Sequence, residues 1–328
     1  MNVEQYQASL DPELRVGLSH MRARFQRLLG DQPPIQDLAT RRQQMTEGIQ
    51  ATLRRLPANE RVKSEDRRIA GPAGAPDVLV RVYRPSGQQE PLPAILWIHG
   101  GAFTVGRYDQ DEALCQRIVE GSEAVLVSVD YRLAPEHPFP AAFEDCDAAL
   151  RWMRGSVADL LIEGGRIAVA GVSSGGNVAM GLGLRARDRK ELPPTFLLLI
   201  YPALDDRVVT PSSYERTEPP MIGREGVLEG WSAYLSNEPE GNVSPYAAPT
   251  RATDLEGLPA TYMMVGELDL FRDETIEFAQ RLMQASVPTE LHVYPGAFHG
   301  FETIVPSAEI SRRATSEYIG AIRHALHR

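Results

Sequence analysis

The sequence contains little cysteine, only Cys115 and Cys146 among 328 residues. They do not form the C-x-x-C spacing of zinc knuckles and dithiol redox motifs, so neither class of site is supported. Isolated thiols of this kind usually behave as small apolar side chains. We therefore expect both thiols to be buried and to take no part in the chemistry.

Basic residues are also scarce, with 34 Lys and Arg against 44 Asp and Glu and a net charge of −10. A nucleic-acid groove needs clustered cations, so a nucleic-acid partner is not expected. No apolar run reaches the roughly 18 residues of a membrane-spanning helix. The first residues carry charges throughout, without the apolar centre of a signal peptide. These absences predict a cytoplasmic protein with no membrane span.

Motifs for nucleotides and metals are missing as well. The sequence has neither G-x-x-x-x-G-K-[ST] nor G-x-G-x-x-G in the first βα turn, and H-E-x-x-H does not occur. We therefore expect no cofactor and no metal ion.

From about residue 61, short apolar runs alternate with stretches typical of helices. The predicted strands are Val78–Tyr83, Ala94–His99, Ala124–Asp130, Ile167–Ala170, Phe196–Tyr201, Thr261–Val265 and Glu290–Tyr294. The predicted helices are Glu112–Glu120, Ala141–Arg154, Gly176–Arg187, Glu274–Gln284 and Ser307–His327. Continuous Val, Ile and Leu strands between helices predict an α/β fold with a mostly parallel central sheet, covered by helices on both faces.

Two segments fall outside this alternation. Residues 1–55 are helical and amphipathic, with apolar positions at Leu14, Leu18, Met21, Phe25, Leu28 and Leu29. Residues 204–250 are rich in proline and contain no evident strand. Long connections in α/β enzymes often leave the carboxyl edge of the sheet, where ligands bind. We expect the two segments to form a lid over that edge.

The most informative stretch is Gly171-Val172-Ser173-Ser174-Gly175, which lies between a predicted strand and a predicted helix. Strand, G-x-S-x-G and helix is the context of a nucleophile elbow, where a sharp turn exposes a serine hydroxyl. Ser173 is therefore the candidate nucleophile.

A serine hydroxyl needs a base to take its proton and a carboxylate to orient that base. In elbow enzymes these groups follow in the order Ser, Asp or Glu, His, after late strands of the sheet. Among seven histidines, only His299 lies in a loop after a strand and beyond the candidate acids. For the acid, Glu267, Asp269 and Asp273 remain alternatives on the residues alone.

Ester hydrolysis also builds negative charge on the carbonyl oxygen, which preorganised N–H donors must stabilise. Residues 99–103 (HGGAF) follow a strand and are similar to the oxyanion loop that accompanies the elbow. The N–H of Ser174, the residue after the nucleophile, is a further candidate donor.

Taken together, these blocks resemble the hormone-sensitive-lipase-like family of α/β-hydrolases, the bacterial carboxylesterases. The similarity covers roughly residues 60–328. It rests on HGGAF at 99–103, DYRLAPEHPFPA at 130–141, GVSSGGN at 171–177, DLFRDE at 269–274 and HGF at 299–301. The sequence departs from the family pattern at Val172, Ser174 and Leu270, without losing a functional group that the reaction needs.

The resemblance implies Ser173 as nucleophile, Asp269 as acid and His299 as base. It also implies an oxyanion hole formed by Gly101, Ala102 and Ser174. Gly100 would shape that loop and His99 would hold it, while Arg132 and Glu136 would pair beneath the site. The implied domains are cap helices at 1–55, a hydrolase core at 56–203 and 246–328, and a cap insertion at 204–245. Family members often form homodimers.

The function that follows is hydrolysis of small, fairly apolar esters with short to medium acyl groups through an acyl-enzyme. Amide or thioester cleavage by the same residues is one alternative. A small-molecule receptor that has lost catalysis is another, although the chain retains Ser173, Asp269 and His299.

Overall fold

The computed structural model describes residues 3–29, 37–215, 222–239 and 241–328. The strands in these ranges are β1 (Val62–Ile69), β2 (Val78–Pro85), β3 (Leu92–Ile98), β4 (Val125–Asp130), β5 (Ile162–Val172), β6 (Leu197–Ile200), β7 (Thr261–Gly266) and β8 (Thr289–Tyr294). The helices are α1 (Val3–Ser9), α2 (Pro12–Leu29), α3 (Leu38–Leu53), α4 (Glu112–Ser122), α5 (Ala141–Gly155), α6 (Val157–Leu160), α7 (Ser174–Asp188), α8 (Arg224–Tyr234), α9 (Arg272–Gln284), α10 (Phe301–Ile304) and α11 (Glu309–Leu326). Short 3₁₀ turns lie at Pro211–Tyr214 and Pro249–Arg251.

The strands form one sheet in the order β1-β2-β4-β3-β5-β6-β7-β8. Strands β1, β2 and β4 pair antiparallel, and every pair from β4 to β8 is parallel. The prediction of a mostly parallel sheet is therefore confirmed, and each predicted strand and helix is present with bounds that differ by a few residues. Because the parallel strands share one direction, the loops after β3, β5, β7 and β8 leave the same edge.

Alternation along the central strands divides the core between the two faces of the sheet. In β3, Leu96 and Ile98 pack into one buried cluster, while Ile95 and Trp97 pack into the other. Side chains from α5, α7 and α9 complete the first cluster, and side chains from α4 and α11 complete the second. Both faces of the central strands β3, β4, β6 and β7 are thus dry, which explains why their sequences are largely apolar.

Strand β1 was not predicted, because its sequence, VKSEDRRI, is almost entirely polar. Only its ends, Val62 and Ile69, are buried. Asp66 lies opposite Arg81 of β2 in the register, and the two side chains form an ion pair at 2.6 Å. Cross-strand charge pairs of this kind stabilise an edge strand and keep it polar.

The first two helices bury side chains in the body of the fold, whereas the third lies against it with side chains that are at most half-buried. Tyr6, Leu10, Leu14 and Leu18 are buried in the second cluster. The predicted apolar positions Phe25, Leu28 and Leu29 lie outside the residues whose side chains are described. Helix α3 buries no side chain completely.

The two cysteines are buried, as expected. Cys115 and Cys146 are unpaired and buried, and burial raises the pKa of both thiols. Across the ranges that the structure covers, no helix has the length and apolar character to cross a bilayer. In the same ranges, no three His, Cys, Asp or Glu side chains are grouped as metal ligands.

Truncating a core side chain of β6 tests this layered packing. Leu199 is fully buried, and Leu199→Ala is expected to lower the free energy of unfolding by about 2–5 kcal/mol, since it removes buried methyl groups and leaves a cavity. The matched control is Leu192→Ala, because the Leu192 side chain is 54% exposed, and its change should stay within about 0.5 kcal/mol. Urea unfolding of both variants measures the difference, and equal midpoints would contradict this account of the core.

Candidate active site

Ser173 occupies a sharp backbone turn between β5 and α7. Its φ and ψ are 55° and −119°, a conformation that non-glycine residues rarely adopt and that costs of order 1–3 kcal/mol. The turn is fixed from both sides, since the Ser173 N–H donates to the Ile200 carbonyl at 2.9 Å and its carbonyl accepts from Gly176 N–H at 3.0 Å. This is the geometry of the predicted elbow, which places the serine side chain at the carboxyl edge of the sheet.

The glycines of the G-x-S-x-G pattern are required by close backbone contacts. A Cβ on Gly171 would lie 2.2 Å from the Gly175 carbonyl oxygen. A Cβ on Gly175 would lie 2.1 Å from the Ile98 carbonyl oxygen at the end of β3. The elbow is therefore pressed directly against the start of the loop that follows β3.

His299 joins Ser173 to a buried carboxylate. The His299 Nε2 atom lies 3.2 Å from Ser173 Oγ, and its Nδ1 atom lies 2.8 Å from Asp269 Oδ2. The Asp269 side chain is inaccessible to solvent, and its second oxygen accepts from the Phe271 N–H at 3.0 Å. The structure thus brings the three predicted catalytic residues together in the order Ser, His, Asp.

The other two candidate acids bind elsewhere. Glu267 Oε2 accepts from the Gly296 N–H at 2.8 Å, which ties the loop after β7 to the loop after β8. Asp273 accepts from the Ser212 N–H at 2.7 Å and pairs with Arg272. Of the three acids, only Asp269 has a hydrogen bond to His299 among the contacts described.

Aromatic rings enclose the imidazole on its other sides. The rings of Tyr201 and Phe271 each make a T-shaped contact with the His299 ring. The distances between ring centroids are 4.4 Å for Tyr201 and 5.3 Å for Phe271. The Tyr201 hydroxyl donates to Glu302 Oε1 at 2.6 Å. Burial raises the pKa of Glu302 to about 7. Sequence reasoning missed this pair, because nothing in the sequence marks Glu302 as buried.

The loop after β3 leaves several backbone N–H groups without acceptors. Gly101 and Ala102 have φ values of 139° and 49°, and the Gly101 carbonyl accepts from the N–H groups of Thr104 and Val105. Among the described residues, nothing accepts from the N–H groups of Gly101 and Ala102. The N–H of Ser174 likewise has no intrahelical acceptor, because Ser174 is the first residue of α7.

Gly100 and His99 support that loop from below. A Cβ on Gly100 would lie 2.9 Å from the Val172 carbonyl oxygen, so only glycine lets the loop approach the elbow. The His99 Nδ1–H donates to the Gly100 carbonyl at 2.9 Å, and its ring stacks on Tyr131 at 4.2 Å. Burial lowers the pKa of His99 to about 4, so the ring is neutral at physiological pH.

The predicted pair of Arg132 and Glu136 is wrong. Arg132 binds Asp145 of α5 with a shortest distance of 2.8 Å, and its backbone N–H donates to the same carboxylate. Glu136 instead faces outwards and pairs with Arg42 of α3 at 2.7 Å. The buried Asp145 lies one helical turn into α5, directly beside Arg132, whereas the intervening turn carries Glu136 to the surface.

A cavity of about 610 Å³ opens above Ser173. Its floor is formed by the elbow, the loop after β3 and His299, and its rim by α3 and α8. The rim residues are Leu38, Arg41, Met45, Gly226, Glu229, Gly230 and Ala233. A volume in this range accommodates a small organic molecule.

One carboxyl group lies in the wall of this cavity. Asp111 is half-buried and accepts from the Trp97 indole N–H at 3.0 Å. Burial raises its pKa to about 6, and the hydrogen bond from Trp97 opposes that rise. Asp111 therefore places a polar group in the lining of the cavity, which it shares with Tyr201 and Ser173.

A second cleft, of about 710 Å³, lies on the side of the sheet covered by α5 and α7. Its walls include Phe143, Trp152, Arg185 and Tyr246. Arg185 is neutralised there by a short ion pair with Asp147. This cleft is larger than the first cavity, but neither Ser173 nor His299 lines it.

Comparisons with known proteins agree with this geometry. Residues 95–303 match the family model described as the alpha/beta hydrolase fold. Esterase LipI of Mycobacterium tuberculosis is 35% identical over 301 residues, covering 89% of this chain and 93% of that protein. Carboxylesterase NlhH of the same bacterium is 36% identical over 293 residues, covering 86% and 90%. The solved structure of a bacterial heroin esterase superposes with a TM-score of 0.89 at 38% identity, covering 98% of this chain and 99% of the other. The chain therefore belongs to the alpha/beta hydrolase family, among the bacterial carboxylesterases that its motifs resemble.

Proposed function

We propose that this enzyme is a serine carboxylesterase that hydrolyses small, fairly apolar esters through an acyl-enzyme, with Ser173, His299 and Asp269 as its catalytic residues. The observation that carries the proposal is the chain of contacts from Ser173 Oγ to His299 Nε2 at 3.2 Å and from His299 Nδ1 to Asp269 Oδ2 at 2.8 Å. A hydroxyl, an imidazole and a buried carboxylate in this order are the groups that acyl transfer requires.

In the first half-reaction, Ser173 Oγ attacks the ester carbonyl carbon while His299 Nε2 takes the hydroxyl proton. Asp269 accepts from His299 Nδ1–H, which fixes the tautomer with Nε2 free as a base and stabilises the imidazolium that forms. His299 then gives the proton to the departing alkoxide, so an alcohol leaves and the acyl group remains on Ser173. In the second half-reaction, water replaces the alcohol and His299 repeats the same transfers, which releases the carboxylic acid.

The N–H groups of Gly101, Ala102 and Ser174 stabilise the oxyanion of each tetrahedral intermediate. Their lack of protein acceptors supports this role, because free donors beside the nucleophile are already oriented before charge develops. Gly100 contributes by letting the loop approach the elbow. Loss of one such donor typically costs about 10²–10³-fold in kcat.

Helices α3 and α8 act as the cap over the substrate. Leu38, Met45 and Ala233 supply apolar surface at the rim of the cavity, which supports small, fairly apolar substrates. Arg41 and Glu229 approach each other to 4.0 Å across the same rim, so their charges offset each other there.

The proposal also includes the oligomeric state, cellular compartment and partners of the enzyme. A homodimer through β8 is supported by the position of that strand at the edge of the sheet, where one side of its backbone has no neighbouring strand within the described part of the chain. Two unpaired thiols suit the reducing cytoplasm. A net charge of −10 disfavours a nucleic-acid partner.

Two adjacent serines allow a sharp test of the nucleophile. Ser173→Ala should reduce kcat/KM for p-nitrophenyl butyrate by about 10⁴-fold or more, because no other oxygen takes the place of the attacking group. Ser174→Ala should retain the activity within about tenfold, because only the backbone N–H of Ser174 acts on the oxyanion. Asp269→Asn should lower kcat by about 10⁴-fold by favouring the wrong tautomer.

A fluorophosphonate probe, followed by mass spectrometry of the labelled peptide, measures the same point without turnover. The wild type and Ser174→Ala should be labelled at Ser173, and Ser173→Ala should remain unlabelled. Labelling at another serine, or wild-type turnover by Ser173→Ala, would overturn the mechanism. An unlabelled, inactive wild type would favour the receptor alternative.

The cavity also predicts an upper limit on acyl length. In a series of p-nitrophenyl esters from acetate to palmitate, kcat/KM should be highest for acyl groups of up to about eight carbons and fall by about tenfold or more for the longest. A long chain would have to cover the Asp111 carboxyl, which offers an apolar group no compensating hydrogen bond. Dye release corrected with Ser173→Ala measures the profile, and a maximum at palmitate would refute the predicted limit.

A further inference from the structure

Helix α3 reaches the cavity with very little burial of its own. It is 16 residues long, and none of its side chains is completely buried. Leu38 and Met45 nevertheless line the cavity. Helices in proteins are held mostly by tertiary packing. Because α3 buries so little, another contact must hold it over the site.

Arg42 supplies that contact. Its Nε atom donates to the Thr104 carbonyl at 2.7 Å, and its Nη2 atom donates to the Ala134 carbonyl at 2.7 Å. The same guanidinium forms a bidentate pair with Glu136, at 2.7 and 2.8 Å. Charge-assisted, forked hydrogen bonds of this kind are among the strongest and most directional that a side chain makes.

Its two carbonyl partners belong to segments that border the oxyanion loop. The Thr104 N–H donates to the Gly101 carbonyl, and the Ala134 N–H donates to the Phe103 carbonyl, both at 3.0 Å. Residues 101–103 all have positive φ, which only a surrounding framework can maintain. Arg42 thus attaches the cap helix to the framework of the loop that carries the oxyanion donors.

We propose that Arg42 is a positioning residue of the esterase, which clamps α3 and the oxyanion loop into one unit. This inference rests on the proposed function, since it assumes that the loop stabilises the oxyanion. When the clamp is formed, the donors are in place and Leu38 and Met45 cover the substrate. When it is absent, α3 loses its attachment to the loop, and the loop loses one of its supports.

The clamp is suited to mutation because its two charged side chains reach the surface. The side chains of Arg42 and Glu136 are 26% and 55% exposed, so water solvates Glu136 when Arg42 is removed. Surface ion pairs add little to global stability. We therefore expect Arg42→Ala to fold with a melting temperature within a few degrees of the wild type.

The first measurement is steady-state kinetics. For p-nitrophenyl acetate, Arg42→Ala should lower kcat by about tenfold, because misplaced oxyanion donors act on the transition state. For p-nitrophenyl hexanoate, KM should also rise by about fivefold or more, because the longer chain depends on α3. Arg42→Lys should recover part of the loss, since it keeps the charge opposite Glu136 but not the fork to the two carbonyls.

The control is Arg55→Ala, which removes the same charge just beyond the end of α3. Arg55 is exposed and lies outside the cavity. Its kinetic constants should stay within about twofold of the wild type.

The second measurement is amide hydrogen exchange, which needs no catalysis. In Arg42→Ala, exchange should accelerate in residues 38–53 and 100–106 together and remain unchanged in the central strands. A change in KM alone with normal exchange in 100–106 would refute the coupling of helix and loop, as would kinetics identical to those of Arg55→Ala. Faster exchange throughout the sheet would also overturn the proposal, because it would show a general structural role. Because exchange is read independently of turnover, failure of the esterase mechanism itself would be recognised separately, by Ser173→Ala retaining activity.

Discussion

The site depends on one backbone constraint, the unfavourable conformation of Ser173. The turn exists because the chain is held on both sides, by β6 through Ile200 and by the first turn of α7 through Gly176. Gly175 lies so close to the Ile98 carbonyl that the elbow is in direct contact with the start of the loop after β3. Ser173 is consequently held by the strands on both sides, and the parallel sheet supplies the free energy that keeps its backbone strained.

The charges of the site are arranged around a single imidazole. Asp269 is inaccessible to solvent, and a buried carboxyl group needs hydrogen-bond partners. It has them from the Phe271 N–H and from His299. On the other side of His299, the Tyr201 hydroxyl donates to Glu302, whose pKa burial raises to about 7. Among the contacts described, Asp269 is the carboxyl group that is hydrogen-bonded to His299.

Local sequence patterns predicted most of the fold and the residues at the centre of the site. Apolar runs identified the buried parallel strands, and spacing after strands brought Ser173 and His299 to one edge. The residues alone did not distinguish Asp269 from Glu267 and Asp273, because all three follow β7 closely in the sequence and differ in the partners that tertiary structure provides. Strand β1 escaped prediction because an edge strand with charged cross-strand pairs has no apolar alternation.

Contacts between distant segments were beyond sequence reasoning for a different reason. The family resemblance implied a pair of Arg132 and Glu136, yet each binds a residue of another element. The partner of Glu136 is Arg42, which is 94 positions away in the sequence. Two of the acceptors of the Arg42 guanidinium are backbone carbonyls, which no residue type marks in a sequence. Backbone acceptors of this kind cannot be recognised from the residue types around them. The residues of the candidate active site are therefore recognisable in the sequence, whereas the attachment of α3 beside it is visible only in the structure.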